Sequence, residues 1–171
     1  LLAFVSSETG IKIQEEIQTK IGESEFYDNS YYYITGHGDI KFNSTQRDKL
    51  REVLLNGAFL HADDNYGIDK TFREAMKDMF PEKEWVELPS NHSIFNIFYT
   101  FPNGLPKIHE HDGNRPQALA LFHDERIIVL YTYESDLGDG WEDRNVHNHS
   151  INTHNEALKM GTNIIIYYLT H

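Results

Sequence analysis

Residues 56 to 81 carry the pattern that most narrows what this chain can fold into. Asn56-Gly57 breaks the preceding segment, and Ala58-Phe59-Leu60 is a short apolar run of buried-strand character. The run empties into His61, Asp63, Asp64 and Asn65, then Tyr66-Gly67. Beyond it Phe72, Ala75, Met76, Met79 and Phe80 keep the i, i+3, i+4, i+7, i+8 spacing of an amphipathic helix. Asp69 is its expected N-cap, and Pro81 stops it. A strand, a polar turn and a helix in succession form the repeating unit of an α/β sheet. In open sheets of this kind ligands bind outside the carboxyl ends of the strands, so the polar residues after Leu60 mark a candidate site.

The remainder of the chain extends the pattern. Leu1, Leu2, Phe4 and Val5 suit a helix with Gly10 as C-cap, a helix that lacks the strand expected before it. The first strand of the fold is therefore expected upstream of residue 1, and Leu1 in place of an initiator Met is expected to follow either a removed targeting segment or a further stretch of chain. Tyr31 to Thr35 reads as a central strand ending at Gly36-His37-Gly38. Asn43 or Ser44, with Gln46 near capping-box spacing, opens a helix whose inner face is Leu50, Val53 and Leu54. Trp85 to Leu88 suits a short strand, and residues 91 to 114 an extended inserted loop. Gln117 to Phe122 and Arg126 to Tyr133 suit a hairpin whose second strand runs into the acidic block Glu134 to Asp143. Ile164-Ile165-Ile166 is β-prone, yet Ala157, Met160, Gly161, Ile164, Ile165 and Tyr168 keep helical spacing, which predicts one helix from about 153 to 169. The whole chain, 1 to 171, reads as a single α/β domain with a mostly parallel sheet flanked by helices.

Composition removes several functions. A formal net charge of −12, with no Lys/Arg cluster, argues against nucleic acid and anionic lipid as partners. The absence of cysteine excludes thiolate nucleophiles, disulfides and sulfur-ligated metals. No apolar run reaches the roughly 18 residues of a membrane span. There is no Gly-x-Ser-x-Gly elbow and no dinucleotide-binding glycine signature, and the acidic block fails the EF-hand pattern.

The blocks His61 to Gly67, Gly104-Leu105-Pro106-Lys107-Ile108 and Tyr131 to Asp143 resemble those of a bacterial domain family of unassigned function. The resemblance runs from about Tyr31 to His171. That family is similar in layout to the class I glutamine amidotransferase-like superfamily, which includes trehalose-utilisation-type proteins. The resemblance implies a flavodoxin-like, three-layer sandwich. It also implies an oxyanion-hole turn at Gly36-His37-Gly38, a nucleophile position at Asp63 and Asp64, and a catalytic-histidine position at Ser135 and Asp136. Related chains often follow a secretory signal, which implies a periplasmic or secreted, cell-envelope location. Neither the cysteine nor a His-Pro-Glu signature is present, so glutamine hydrolysis is excluded whatever the fold.

If this layout holds, His37, Gly38, His61, Asp63, Asp64, Asn65, Tyr66, Ser135, Asp136, Asp139 and Trp141 line one pocket. Crowded carboxylates must protonate or recruit a cation. Asp63, Asp64, Asp136, His109 and His111 are candidate ligands for a divalent metal, with Glu110 and Asp112 beside them. Plainer roles compete. Asp63 or Asp64 could cap backbone amides, His61 could be a packing residue, and His109 and His111 could be solvated. The acidic block could be a surface turn.

Three functions follow. The first is a non-catalytic cell-envelope module that keeps a degenerate amidotransferase-like pocket for a small polar ligand or protein partner. The second is a metal-dependent hydrolase using the Asp/His cluster. The third is a structural subunit presenting aromatics such as Phe26, Tyr27, Phe95, Phe98 and Tyr99.

Overall fold

A computed structural model of the chain describes residues 1–110 and 113–171. Five strands form one mixed sheet: β1 (Tyr31–Ile34), β2 (Phe59–Asp63), β3 (Val86–Glu87), β4 (Gln117–His123) and β5 (Arg126–Tyr133). Their order is β1-β2-β5-β4-β3. Parallel pairing joins β1 to β2 and β2 to β5, with Leu60 opposite Val129 and Asp63 opposite Thr132. The β4–β5 hairpin and the short β3 add the antiparallel half. Helices cover both faces, so the architecture is α/β in three layers.

One face carries α3 (Ser44–Leu55) and α4 (Asp69–Met79), with the single turn α2 (Ser24–Tyr27) adding Phe26 to their core. Asn43 and Gln46 form the expected capping box at the start of α3, with hydrogen bonds of 2.9 and 3.0 Å. At its other end Arg126 donates to the carbonyl of Leu54, which the last helical turn leaves open, and to that of Ala58 just before β2. Phe72, Met76 and Met79 of α4 are buried against Leu50, Leu54, Leu60, Ala62 and Tyr131. Each such side chain contributes roughly 1.5–3 kcal/mol by leaving water.

The other face is covered by α7 (Ile151–Thr170), with α1 (Leu2–Thr9) beside it. Ala157, Met160, Ile164 and Tyr167 of α7 meet Phe59, Ala120, Ile127 and Leu130 of the sheet. The 157–168 spacing thus resolves the Ile164-Ile165-Ile166 ambiguity in favour of the helix. Among the described residues no helix is long and apolar enough to cross a membrane.

Four sequence expectations change. Tyr31–Ile34 pairs only with β2 and lies at one edge of the described sheet, not at its centre. Its aromatic run has the composition of a buried strand because Tyr31 and Tyr32 pack on opposite faces of the sheet, against Phe59 and Phe26 respectively. Asp69 is the first residue of α4, whose N-cap is Ile68; its carboxylate accepts from Arg73 and Tyr131. The 91–114 segment is anchored rather than free. Ile94, Phe95, Leu105 and Ile108 are buried, and Asn163 of α7 bonds the backbone of Tyr99 and Ile94. Phe26 and Phe95, expected at the surface, are therefore core residues at 2% and 1% exposure.

Candidate functional site

The carboxyl ends of β2 and β5 bring two distant acidic segments together. Side chains alternate across a strand, so His61 and Asp63 share one face of β2 while Ala62 faces the opposite core. Thr132, the β5 residue opposite Asp63, shares the Asp63 face and donates to Asp63 Oδ1 at 2.5 Å. The amide of Gly138 and the hydroxyl of Tyr33 donate to Asp63 Oδ2 at 2.7 and 3.2 Å. A Cβ at 138 would stand 2.6 Å from Tyr33 Oη and 3.3 Å from Asp63 Oδ2, so a larger residue there would displace the groups that hold Asp63.

A directed hydrogen-bond chain leads to this carboxylate. Thr132 has a single hydroxyl proton, given to Asp63, so it accepts from His61 Nε2 at 3.0 Å. His61 Nδ1 in turn accepts from the Tyr31 hydroxyl at 3.1 Å. Tyr31 to His61 to Thr132 to Asp63 is therefore one network with a fixed tautomer. His61 is fully enclosed, and burial pushes its pKa down to about 3, so it stays neutral. Burial pushes Asp63 up to about 6, against the opposing pull of its donors.

Beyond β5 the chain turns sharply. Glu134 and Asp136 adopt positive φ of 56°, a conformation that L residues other than Asn and Asp seldom hold. Ser135 between them donates to Pro106 O, and its carbonyl accepts from the amides of Ile108 and His109. This turn ties the anchored loop to the sheet. Asp136 then caps the short helix α5 (Leu137–Trp141). Burial, and then the charges of Asp63 and Asp139, hold the Asp136 carboxyl well above the usual range. Trp141 closes the region by donating to Ala157 O, its ring 5.2 Å from Tyr33 and 5.9 Å from His61.

Asp139, one turn along, faces outward to two histidines. His109 Nδ1 lies 3.4 Å and His147 Nδ1 3.2 Å from Asp139 Oδ2. His147 belongs to a second short helix, α6 (Arg144–His147).

The expected single pocket is thus divided. His61, Asp63, Ser135, Asp136, Asp139 and Trp141 gather on the α7 side of the strand ends. Asp64 points to the other side, where its Oδ2 accepts from the Glu134 amide. There Asp64, Asn65, Tyr66, Gly67, Asp69, Lys70, Tyr133 and Glu134 line an open groove of about 230 Å³. His37 and Gly38 join this second group through backbone contact with Tyr66, Gly38 N lying 3.2 Å from Tyr66 O. Asp63 and Asp64 therefore do not converge on one metal, because adjacent residues leave a strand in opposite directions. His111 and Asp112 lie outside the described residues. Tyr33, Thr132 and His147 are site residues the sequence reading passed over. Tyr33 and Thr132 carry only a strand signal, and the near-repeat His147-Asn148-His149 beside an acidic block was the one available hint for His147.

The family described as Domain of unknown function (DUF4159) matches residues 1–169. No curated protein matches the chain.

Proposed function

We propose, for a chain that belongs to this family of domains of unknown function, the role of a non-catalytic accessory module of the cell envelope. In this reading an amidotransferase-like frame holds a small polar ligand, or a polar side chain of a protein partner, in the groove beside Asp64 and Tyr66. One observation carries it. Asp63, at the strand exit where that superfamily places its nucleophile, is fully buried and takes hydrogen bonds from Thr132, Tyr33 and Gly138. A carboxylate enclosed in this way braces the turn and presents no oxygen to a substrate. The groove lies at the strand ends where open α/β sheets bind ligands. Its volume is below the roughly 300 Å³ at which drug-sized pockets begin, so it suits a small group. Carboxylates, one lysine and two tyrosines favour amines and hydroxyls over apolar ligands. A metal-dependent hydrolase fits less well, since Asp63 is engaged by protein donors and Asp64 faces away from Asp136.

Ligand-observed NMR with small amines, polyols and amino sugars tests the proposal. Binders that compete for one site and lose their signal in Tyr66→Ala are expected. Hits indifferent to Tyr66→Ala, or turnover of ester, phosphoester or glycoside substrates abolished by Asp63→Asn, would overturn it.

A further inference from the structure

The strongest cluster outside both the groove and the Asp63 network lies where the anchored loop meets α5 and α6. We infer that His109, Asp139 and His147 bind one divalent transition metal of the zinc class, pinning the loop to the two short helices. The three ligand atoms all lie within 4.8 Å of one another. Metal–nitrogen and metal–oxygen bonds of about 2.0–2.1 Å set tetrahedral ligand-to-ligand edges of about 3.3–3.4 Å. The 3.4 Å and 3.2 Å separations of the two imidazole Nδ1 atoms from Asp139 Oδ2 already have that length. Two imidazoles and one carboxylate are donors suited to zinc and its neighbours rather than to calcium or magnesium.

Two further observations point to the same occupant. His147 Nε2 lies 3.0 Å from Glu142 Oε2, so Glu142 fixes the ring with Nδ1 turned towards Asp139. A carboxylate behind a ligating histidine is the usual outer support of a metal site. Beside them stands His149, its ring stacked on His147 with centroids 5.5 Å apart and 5.9 Å from that of His109. Among the described residues His149 Nδ1 is enclosed without a hydrogen-bond partner. Enclosed polar atoms are ordinarily satisfied, and a water on the open position of a metal held by the two neighbouring histidines and Asp139 would give this nitrogen its partner. The side chains are partly accessible, His109 at 40% and His147 at 25%, so an ion can enter. The net charge of −12 favours its approach.

This inference is independent of the groove and of any ligand bound there. The test uses untagged, chelator-treated protein titrated with Zn²⁺ by calorimetry and with Co²⁺ by visible absorption. One equivalent is expected, with the intense bands of a four- or five-coordinate Co²⁺. Binding should be lost in His147→Ala and in Asp139→Asn, and weakened about 10–100-fold in Glu142→Gln. His37→Ala should leave it unchanged. Should the variants fail to fold, diethylpyrocarbonate labelling of the unmutated protein, mapped by mass spectrometry, provides a second measurement. Zn²⁺ should protect His109 and His147 but not His37 or His123. Sub-stoichiometric binding, binding retained in His147→Ala, or protection that ignores these two histidines would overturn the assignment.

Discussion

Asp63 and His61 sit two residues apart on one strand face, and burial moves them in opposite directions. In the unfolded chain Asp63 ionises near 3.8, in the fold near 6, so ionisation across that window favours unfolding and stability falls as pH rises from about 4 to 6. His61 protonates near 6.5 unfolded and near 3 folded, so stability rises with pH over an overlapping window. His61 offsets only one of two falling slopes, because the raised Asp136 carboxyl adds a second to that of Asp63, so the unmodified protein should lose stability as pH rises from 4 to 6. Asp63→Asn removes the Asp63 slope and, by taking away its charge, lessens that of Asp136 as well. Its stability, measured by urea unfolding at each pH, should climb relative to the parent by on the order of 3 kcal/mol across the window. Parallel curves for the two proteins would contradict the assignment. Asp63 differs as sharply from its sequence neighbour Asp64. Asp63-Asp64 reads as one acidic cluster, but the pleat sends the first carboxylate to Thr132 and Gly138 and the second to the Glu134 amide.

At the scale of elements, the hairpin and the α5–α7 contact depend on unusual backbone or unusually small residues. His123 pairs with Arg126, so Asp124 and Glu125 alone form the turn, both with positive φ, 48° and 66°. This is the geometry of a two-residue primed turn, for which Asn-Gly is the preferred sequence. Replacing Asp124-Glu125 by Asn-Gly should stabilise the protein by about 1 kcal/mol, raising Tm by about 2–4 °C. An unchanged or lower Tm in calorimetry would show that the turn is not strained. In α5, Gly140 lies so close to α7 that an added Cβ would collide with Ala157 Cβ and stand 2.8 Å from Ile108 Cγ2. That approach carries Asp139 to the histidines. The helices themselves were legible because their apolar spacing and caps are local: the Asn43–Gln46 box, the inner face of α4 and the long α7 all follow it. The role of Asp69 was not, because Tyr131, which bonds its carboxylate, arrives from 62 residues away.

Across the whole molecule the sheet sets the hierarchy of stability. β5 is paired on both sides, parallel to β2 and antiparallel to β4, while β1 has a single neighbour and residues 10 to 20 form no regular element. Hydrogen exchange read by mass spectrometry should therefore find peptides spanning Val129–Thr132 slowest, β1 faster, and residues 10 to 20 fastest. Equal protection of β1 and β5 would refute this order. The sequence by itself determined the alternation of strands and helices, the α/β class, the exclusion of thiol chemistry and the position of the acidic blocks at strand exits. Each of these depends on residue type or on spacing along a short stretch of chain. Only the tertiary structure decided that Asp63 and Asp136 meet while Asp64 turns away, that Tyr31–Ile34 lies at an edge, and that His147 joins His109 around Asp139. Those relations depend on strand order, on which face a side chain leaves, and on packing between segments far apart in sequence, and no local pattern encodes them.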